Sequence, residues 1–179
     1  MTTSIQYVVD VEASLDEAPA LAERVAENLI NRGIVLRTPQ VHSYLGQGAR
    51  YAVGPNAGSV ATYNQGFPCG FDIKIGRQFS WTGELGVNAI HCPFCDASHA
   101  PSDMDFPEAL VEWCERVGPG LLHCSVCKSP ASIANWRFEP TCGFGNLTLE
   151  FSEWFLEEDF VEEISALLGH RIAWVKSQW

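Results

Sequence analysis

No part of this sequence is both apolar and uncharged for the roughly 18 residues that a membrane-spanning helix requires. Its start also lacks the basic region and apolar stretch of a signal peptide, because Asp10 and Glu12 lie where that stretch would be. We therefore expect a protein of the cytoplasm without a membrane partner.

Basic residues are scarce as well. The chain has 11 Lys and Arg against 22 Asp and Glu, which gives a formal charge of -11. Such acidity disfavours binding to phosphate backbones and to anionic membranes. Motifs of common catalytic sites are also missing: Gly46 and Gly48 lack a third glycine, and neither Gly-Lys-Ser/Thr nor His-Glu-x-x-His occurs. These absences exclude the usual nucleotide loops and metalloprotease sites.

The cysteines, in contrast, do form a recognisable motif, and the chain has seven of them. Cys92 and Cys95 form one Cys-x2-Cys pair, and Cys124 and Cys127 form another after an interval of 28 residues. Each pair follows a short apolar segment, which is the layout of a zinc knuckle. The pattern predicts one Zn²⁺ held by four thiolates. Because four thiolates leave no open coordination position, this zinc is expected to be structural.

The histidines near these pairs are weaker candidates for metal ligands. His91 and His123 each precede the first cysteine of a pair, and adjacent strand residues face opposite ways. We therefore interpret both as flanking residues, with His99 as the substitute ligand if one cysteine is not used. The other three cysteines are predicted to be small, buried or half-buried residues: Cys69, Cys114 and Cys142.

Both chain ends have a strand–helix–strand pattern. The first end has a strand at 5–11, a helix at about 16–32 that Asp16 caps better than Ser14, and a return strand in the segment IVLR at 34–37. The second end has a strand at 147–151, a helix at about 156–168 and a last strand in the segment RIAWV at 171–175. The alternating apolar residues of the first strand are Ile5, Tyr7, Val9 and Val11.

Two such halves predict an α+β fold of ferredoxin-like type with an inserted four-cysteine zinc ribbon. The α+β domain is expected to comprise residues 1–90 and 138–179, and the ribbon residues 91–137, with a helix at about 107–117. Between the first half and the ribbon lies a loop at 44–70 that is rich in Gly, Ala and Asn. A strand with Phe71, Ile73 and Ile75 directed inward follows that loop.

Several further motifs accompany the cysteine pairs: NWRFEPTCGFGNLTLEFSEW at 135–154, LLGHR at 167–171 and RYAVGP at 50–55. With these, the chain resembles a group of uncharacterised bacterial zinc-ribbon-containing proteins. They share paired Cys-x2-Cys knuckles, a Trp-x-Phe-x-Pro segment, a Gly-Phe-Gly turn and a terminal Leu-Gly-His. Some members are labelled sugar-transporter ATPase, an activity that we do not expect here because the chain has no Walker loop.

The acidic residues of the last helix suggest a function. Glu157, Glu158, Asp159, Glu162 and Glu163 fall on its polar side, and no lysine occurs between 151 and 170. We expect this surface to contact a basic protein, so that the chain is a non-enzymatic binding protein of the inhibitor or immunity type.

Two alternatives remain. One is an enzyme with its site in the 44–70 loop and its neighbours, using residues such as His42, Tyr51 or Asp72. The other is a transcription-associated zinc ribbon. The ribbon has six acidic against three basic residues, and four thiolates with one Zn²⁺ would make it more negative still. Binding to nucleic acid is therefore not expected.

Overall fold

The computed structural model describes residues 3–40, 48–63, 67–83 and 86–178. Helices and strands are mixed, as the sequence predicts for an α+β protein. In chain order the elements are β1 (Ser4–Asp10), α1 (Ala18–Asn31), β2 (Val35–Leu36), β3 (Tyr51–Val53), β4 (Ala61–Tyr63), β5 (Gly70–Ser80), β6 (Ala89–His91), β7 (Ser98–His99), α2 (Phe106–Cys114), β8 (Leu121–His123), β9 (Pro130–Ser132), β10 (Arg137–Glu139), β11 (Gly143–Ser152), β12 (Trp154–Leu156), α3 (Glu158–Leu168) and β13 (Ile172–Gln178). No helix in these ranges is long and apolar enough to cross a membrane.

The main sheet has six strands in the order β13-β1-β11-β5-β3-β2, and every neighbouring pair is antiparallel. The return strand predicted at 34–37 is reduced to the two residues of β2, which pair with β3 at the sheet edge. The long strand beside β11 is β5 instead. The α+β class is therefore confirmed, whereas the ferredoxin-like description of the two ends stays a prediction.

The predicted 44–70 loop contains two short strands, which the sequence did not indicate. β3 joins the main sheet beside β5, and β4 pairs with β12 in a separate two-stranded sheet. All three residues of β3 are half-buried, and those of β4 are buried, exposed and half-buried in turn, so neither strand has a long apolar run. Pattern alone could not identify them because each has only three residues.

One face of the main sheet carries the two long helices. Val8 of β1 lies in the core that α1 and α3 cover, whereas Ile5 and Val9, which alternate with it, are buried on the opposite face. The apolar alternation predicted for β1 is thus present, but it marks the face away from the helices. On β5, Ile73 is buried as predicted, while Ile75 is 44% exposed. The largest fully buried side chains of this core are Trp154, Phe71 and Phe151.

The start of α1 corrects a prediction. Ser14 Oγ accepts a hydrogen bond from the Glu17 N–H at 3.2 Å, and Glu17 Oε2 accepts one from the Ser14 N–H at 3.1 Å. This reciprocal Ser-x-x-Glu pair is the pattern of a capping box, and it comes one turn before the helix. Ser14, rather than the predicted Asp16, therefore orders the chain before α1.

The cysteine-bearing elements, β6 to β10 with α2, insert between β5 and β11 and have a core of their own. Phe138 and Trp113 belong to this second core together with Phe144 of β11. Phe144 also stacks on Phe79 of β5, with ring centroids 4.6 Å apart. The ends of β5 and β11 therefore anchor the insertion to the main sheet.

β11 begins earlier than the predicted strand at 147–151, because the Gly-Phe-Gly segment is itself part of the strand. A Cβ atom on Gly145 would lie 2.2 Å from the carbonyl oxygen of Asp10, and one on Gly143 would lie 2.5 Å from Val9 Cγ2. The pairing register with β5 shifts between Gly145 and Leu147. The two glycines thus let β11 pass directly against β1, and the segment is an irregular strand rather than a turn.

A buried carboxylate joins the two ends of the chain. Asp10 is fully buried; its Oδ1 accepts hydrogen bonds from the N–H groups of Glu12 and Ala13, and its Oδ2 lies 2.9 Å from His170 Nδ1. Arg171 adds a 2.8 Å ion pair to Glu12. The Leu-Gly-His segment therefore fixes the start of β13 against the end of β1.

This contact predicts a pH dependence of stability. The hydrogen bond to Asp10 raises the pKa of His170 above its ordinary value. The contribution to the free energy of unfolding should be complete below about pH 6.5 and disappear as the pH rises through the folded-state pKa. In urea titrations, the free energy of unfolding of the wild type should therefore fall between pH 6 and pH 9. This fall should exceed that of His170→Gln by about 1 kcal/mol or less. Identical pH profiles for the two proteins would contradict this assignment.

Candidate metal centre

The first cysteine pair lies in the turn of the β6–β7 hairpin. The Cys92 N–H donates to the Ala97 carbonyl at 3.0 Å, and the Asp96 N–H donates to the Cys92 carbonyl at 3.0 Å. Asp96 has a φ of 55°, in the left-handed region. These bonds close the turn so that both sulfurs of the pair point to its inner side.

The second pair repeats this geometry in the β8–β9 hairpin. The Cys124 N–H donates to the Ser129 carbonyl at 3.1 Å, and the Lys128 N–H donates to the Cys124 carbonyl at 3.0 Å. Lys128, at the position that matches Asp96, has a φ of 64°. Two hairpins with the same turn chemistry thus face each other, as the repeated Cys-x2-Cys spacing predicts.

The four predicted cysteine ligands come together. Cys92 Sγ lies 3.7 Å from Cys127 Sγ, and Cys95 Sγ lies 3.6 Å from Cys124 Sγ. All four sulfurs are within 4.8 Å of one another. Cys92 and Cys124 are buried, whereas Cys95 is exposed. The cluster could therefore hold one metal ion, with one edge of the centre near solvent.

Backbone N–H groups point at these sulfurs. Phe94 donates to Cys92 Sγ at 3.4 Å, and both Val126 and Cys127 donate to Cys124 Sγ at 3.4 Å. Such donors favour the thiolate form, which is the form that binds a metal. The knuckle backbone is therefore arranged to hold negative charge on sulfur.

In the absence of a cation, a negative charge on one of the four sulfurs disfavours ionisation of the others. The amide and hydroxyl of Ser129 lower the pKa of Cys127 to about 6. At Cys95 the amide of Ala97 also acts to lower the pKa. Partial desolvation of the sulfur and the hydrogen bonds with the three neighbouring sulfurs outweigh it and raise that pKa to about 12. A divalent cation removes this conflict because it stabilises all four thiolates together.

His99 is the histidine that lies beside the cluster. Its Nε2 is 3.3 Å from Cys124 Sγ, its Nδ1 is 3.4 Å from Ser125 Oγ, and its ring packs edge-on against Trp136. The side chain is buried, so a hydrogen bond from Nε2 to the Cys124 sulfur supports that ligand from behind. The sequence had marked His99 only as a substitute ligand. Its position on β7, the strand that follows the first cysteine pair, is the sequence feature that could have indicated this supporting role.

His91 and His123 are not among the residues that form the sulfur cluster. His91 Nε2 lies 3.0 Å from Glu139 Oε1, and His123 is exposed on β8. Both therefore flank the pairs, as their positions before Cys92 and Cys124 predict.

The remaining cysteines differ in their burial. Cys69 and Cys142 are buried as predicted, and burial raises the pKa of Cys142 to about 12. Cys114, expected in the core, is exposed at the end of α2, while its neighbour Trp113 is the buried residue. α2 ends at Cys114, so the helix turns this side chain to solvent.

The residues proposed for an enzyme site in the loop region are not brought together. Tyr51 packs against the core residue Phe71, with ring centroids 5.6 Å apart. Asp72 follows Phe71 on β5 and therefore faces the opposite side of the sheet, where Lys74 Nζ is 2.8 Å from its carboxylate. His42 lies outside the described residues. Tyr51 and Asp72 thus lie on opposite faces of the sheet.

Asp72 belongs instead to a polar row on the face without helices. Glu150 is its direct cross-strand neighbour, and Tyr7 is the neighbour of Glu150 on β1. Burial raises the pKa of Glu150, with Lys74 opposing the shift and Asp72 adding to it. Burial and Glu150 raise the pKa of Tyr7 to about 12. The row keeps Tyr7 protonated, and Lys74 compensates the charge of Asp72.

The five acidic residues predicted as a partner-binding surface are all exposed. Glu163 forms a 3.0 Å ion pair with Arg32, which directly follows α1. Glu158 and Asp159 lie in the first turn of α3, where the helix dipole favours negative charge. The described residues supply no ion pair or hydrogen bond to Glu158 and Glu162. These two side chains lie one turn apart and, like Glu157 and Asp159, have no ion pair within the described residues.

Comparison with known proteins adds no relative. No protein-family model matches the chain, and no match was found among curated proteins or among solved structures. The resemblance to bacterial zinc-ribbon proteins therefore stays a prediction, and the function has to be argued from the geometry alone.

Proposed function

We propose that the four cysteines bind one Zn²⁺. Zinc–thiolate bonds of about 2.3 Å in a tetrahedron place the sulfurs about 3.8 Å apart. The two shortest measured separations, 3.7 Å and 3.6 Å, are close to that edge length. An all-thiolate, tetrahedral set with donors on its sulfurs suits zinc better than a hard cation. Elemental analysis of the purified protein should give about one zinc per chain.

The role of this zinc is structural. Four thiolates close the coordination shell, so no position is left for water or substrate. The ion would join two hairpins that lie 28 residues apart in the chain, and so stabilise the ribbon against the ends of β5 and β11. The strand order β13-β1-β11-β5, with α1 and α3 on one face, supports the further proposal of a ferredoxin-like core that presents this ribbon.

We further propose that the protein acts by binding a basic protein partner in the cytoplasm. The observation that carries this proposal is the exposed acidic surface of α3, in which Glu158 and Glu162 have no compensating cation within the described ranges. Exposed like charges one turn apart slightly destabilise a helix, which offsets part of what the helix dipole contributes at Glu158. Charge complementarity with a partner would give both residues a function by steering association. The closed metal centre and the separation of Tyr51 from Asp72 favour binding over catalysis.

A charge-reversal experiment tests this function. The double variant Glu158→Lys/Glu162→Lys should associate with the partner recovered from the native host about tenfold more slowly at low salt, with a weaker salt dependence. Its free energy of unfolding should change by less than about 1 kcal/mol, because the lost dipole interaction and the relieved repulsion oppose each other. The matched control Asp16→Lys/Glu23→Lys has the same net charge and alters an exposed part of the first helical region. Equal association rates for the two double variants would contradict the proposal.

A further inference from the structure

A groove of about 600 Å³ separates the core from the ribbon. One wall is formed by α3 and β13, and the other by the segment that leads from the second hairpin into β10. Trp136 and Phe138 line the ribbon side, and Trp174 lines the core side. Aromatic side chains therefore form part of the lining on both sides of the groove.

β13 is an edge strand along this groove. Across residues 3–40, 48–63, 67–83 and 86–178, its strand partner is β1 alone. Ile172, Ala173 and Trp174 all line the groove, although successive strand residues face opposite sides of a sheet. The groove therefore runs beside the start of β13, whose outer edge carries backbone N–H and C=O groups that no described strand pairs. At its far end, β13 has a contact outside β1, since the Gln178 N–H donates to the Thr82 carbonyl.

The charged residues of the groove, taken with the partners of its arginines, carry a net negative charge. Glu158 and Glu162 form part of its α3 wall. Arg137 and Arg171 also line it, but both are compensated: Arg137 pairs with Asp96 and Glu139, and Arg171 pairs with Glu12. Five carboxylates thus stand against two guanidinium groups in and around the groove, and the two of α3 have no counter-ion in the described part of the chain.

We propose that an extended, lysine- or arginine-containing segment of the basic partner binds in this groove as an added strand on β13. Main-chain hydrogen bonds to the edge would supply affinity, and side chains directed to Glu158 and Glu162 would select a basic sequence. The proposal rests on the proposed function and specifies the mode of contact. It also explains why the acidic residues lie beside an edge strand and aromatic side chains rather than on an isolated helix face.

N-methylated peptides test the added strand directly. The probe is a capped hexapeptide that alternates lysine and valine, used unmodified and in two versions N-methylated at either the lysines or the valines. A strand pairs with one neighbour through every second residue only. One methylated version should therefore bind about tenfold more weakly than the other, because it loses the pairing N–H groups. Binding is measured by titration of tryptophan fluorescence and by amide chemical shifts of β13.

The outcomes separate this inference from the general function. Weakening with one methylation pattern only, together with about tenfold loss for Glu158→Gln/Glu162→Gln but not for Asp16→Asn/Glu23→Gln, supports the added strand. Equal binding of both methylated peptides, or no binding of any peptide at millimolar concentration, overturns it. Neither negative result decides the basic-partner function itself. The charge-reversal experiment with the recovered partner tests that function independently.

Discussion

Replacing Cys92 with serine should abolish stoichiometric zinc binding and unfold the ribbon while the main sheet stays folded. Metal binding in structural four-ligand sites contributes on the order of 10 kcal/mol of apparent free energy, and loss of one of four ligands removes most of it. The second core contains Cys92 and Cys124 themselves, so the packing of β6 and β8 depends on the intact centre. Amide hydrogen exchange should show loss of protection in the ribbon elements only.

Cys114→Ser is the matched control for this substitution. Cys114 lies in the same insertion but is exposed and outside the sulfur cluster. This variant should keep about one zinc per chain and native exchange rates. Retained zinc and protection in the Cys92 variant, or equal losses in both variants, would contradict the assignment of the ligands.

Replacing Gly145 with alanine should lower the free energy of unfolding by about 3 kcal/mol, at the upper end of what overpacking usually costs. The new Cβ would lie 2.2 Å from the Asp10 carbonyl oxygen, which belongs to the paired backbone of β1 and cannot move aside like a flexible side chain. Relief of the clash requires β1 and β11 to separate at the point where Asp10 binds His170. Urea denaturation followed by circular dichroism measures the loss.

Gly58→Ala is the control for this effect. A Cβ at Gly58 has no atom within 4 Å, and the residue is not in the left-handed region. Its stability should stay within about 1 kcal/mol of wild type or rise slightly, because alanine restricts the unfolded chain. If Gly145→Ala behaves like Gly58→Ala, β11 does not pass against β1 as described.

The metal cluster was predictable because its information is local. A Cys-x2-Cys pair defines a turn, and two such turns meet in one tetrahedral site whatever the fold around them. The same pattern could not show that His99 supports Cys124, since that contact depends on the pairing of β6 with β7 and on the packing of Trp136. Contacts between the site and residues far away in the sequence depend on the fold, so the motif alone does not predict them.

The helices of the core were also predictable, with small errors at their ends. The helices predicted at 16–32 and 156–168 correspond to α1 and α3, because their apolar stripes have helical spacing. The cap before α1 was assigned to Asp16 instead of Ser14, although Ser14 and Glu17 have capping-box spacing. The local signal was present there, but Pro19 fits the first turn of a helix that begins after Asp16, and this favoured the later cap.

The order of the strands was harder to derive. The strand that follows α1 in sequence is a two-residue edge strand, and β5, which begins more than thirty residues later, takes the place beside β11. Non-local pairing of this kind leaves no trace in the periodicity of a single sequence. The open edge at β13 and the groove beside it follow from that strand order, so the sequence could indicate the acidic residues of α3 but not the site in which they lie.

Affinity purification from the native host, followed by mass spectrometry, tests the central claim most directly. Wild-type protein should retain one basic protein in near-stoichiometric amount at low salt, and the Glu158→Lys/Glu162→Lys variant should retain little of it, because the acidic surface of α3 is expected to steer and hold that partner. Recovery of no protein partner, of an acidic one, or of a small metabolite bound to the chain would contradict the account.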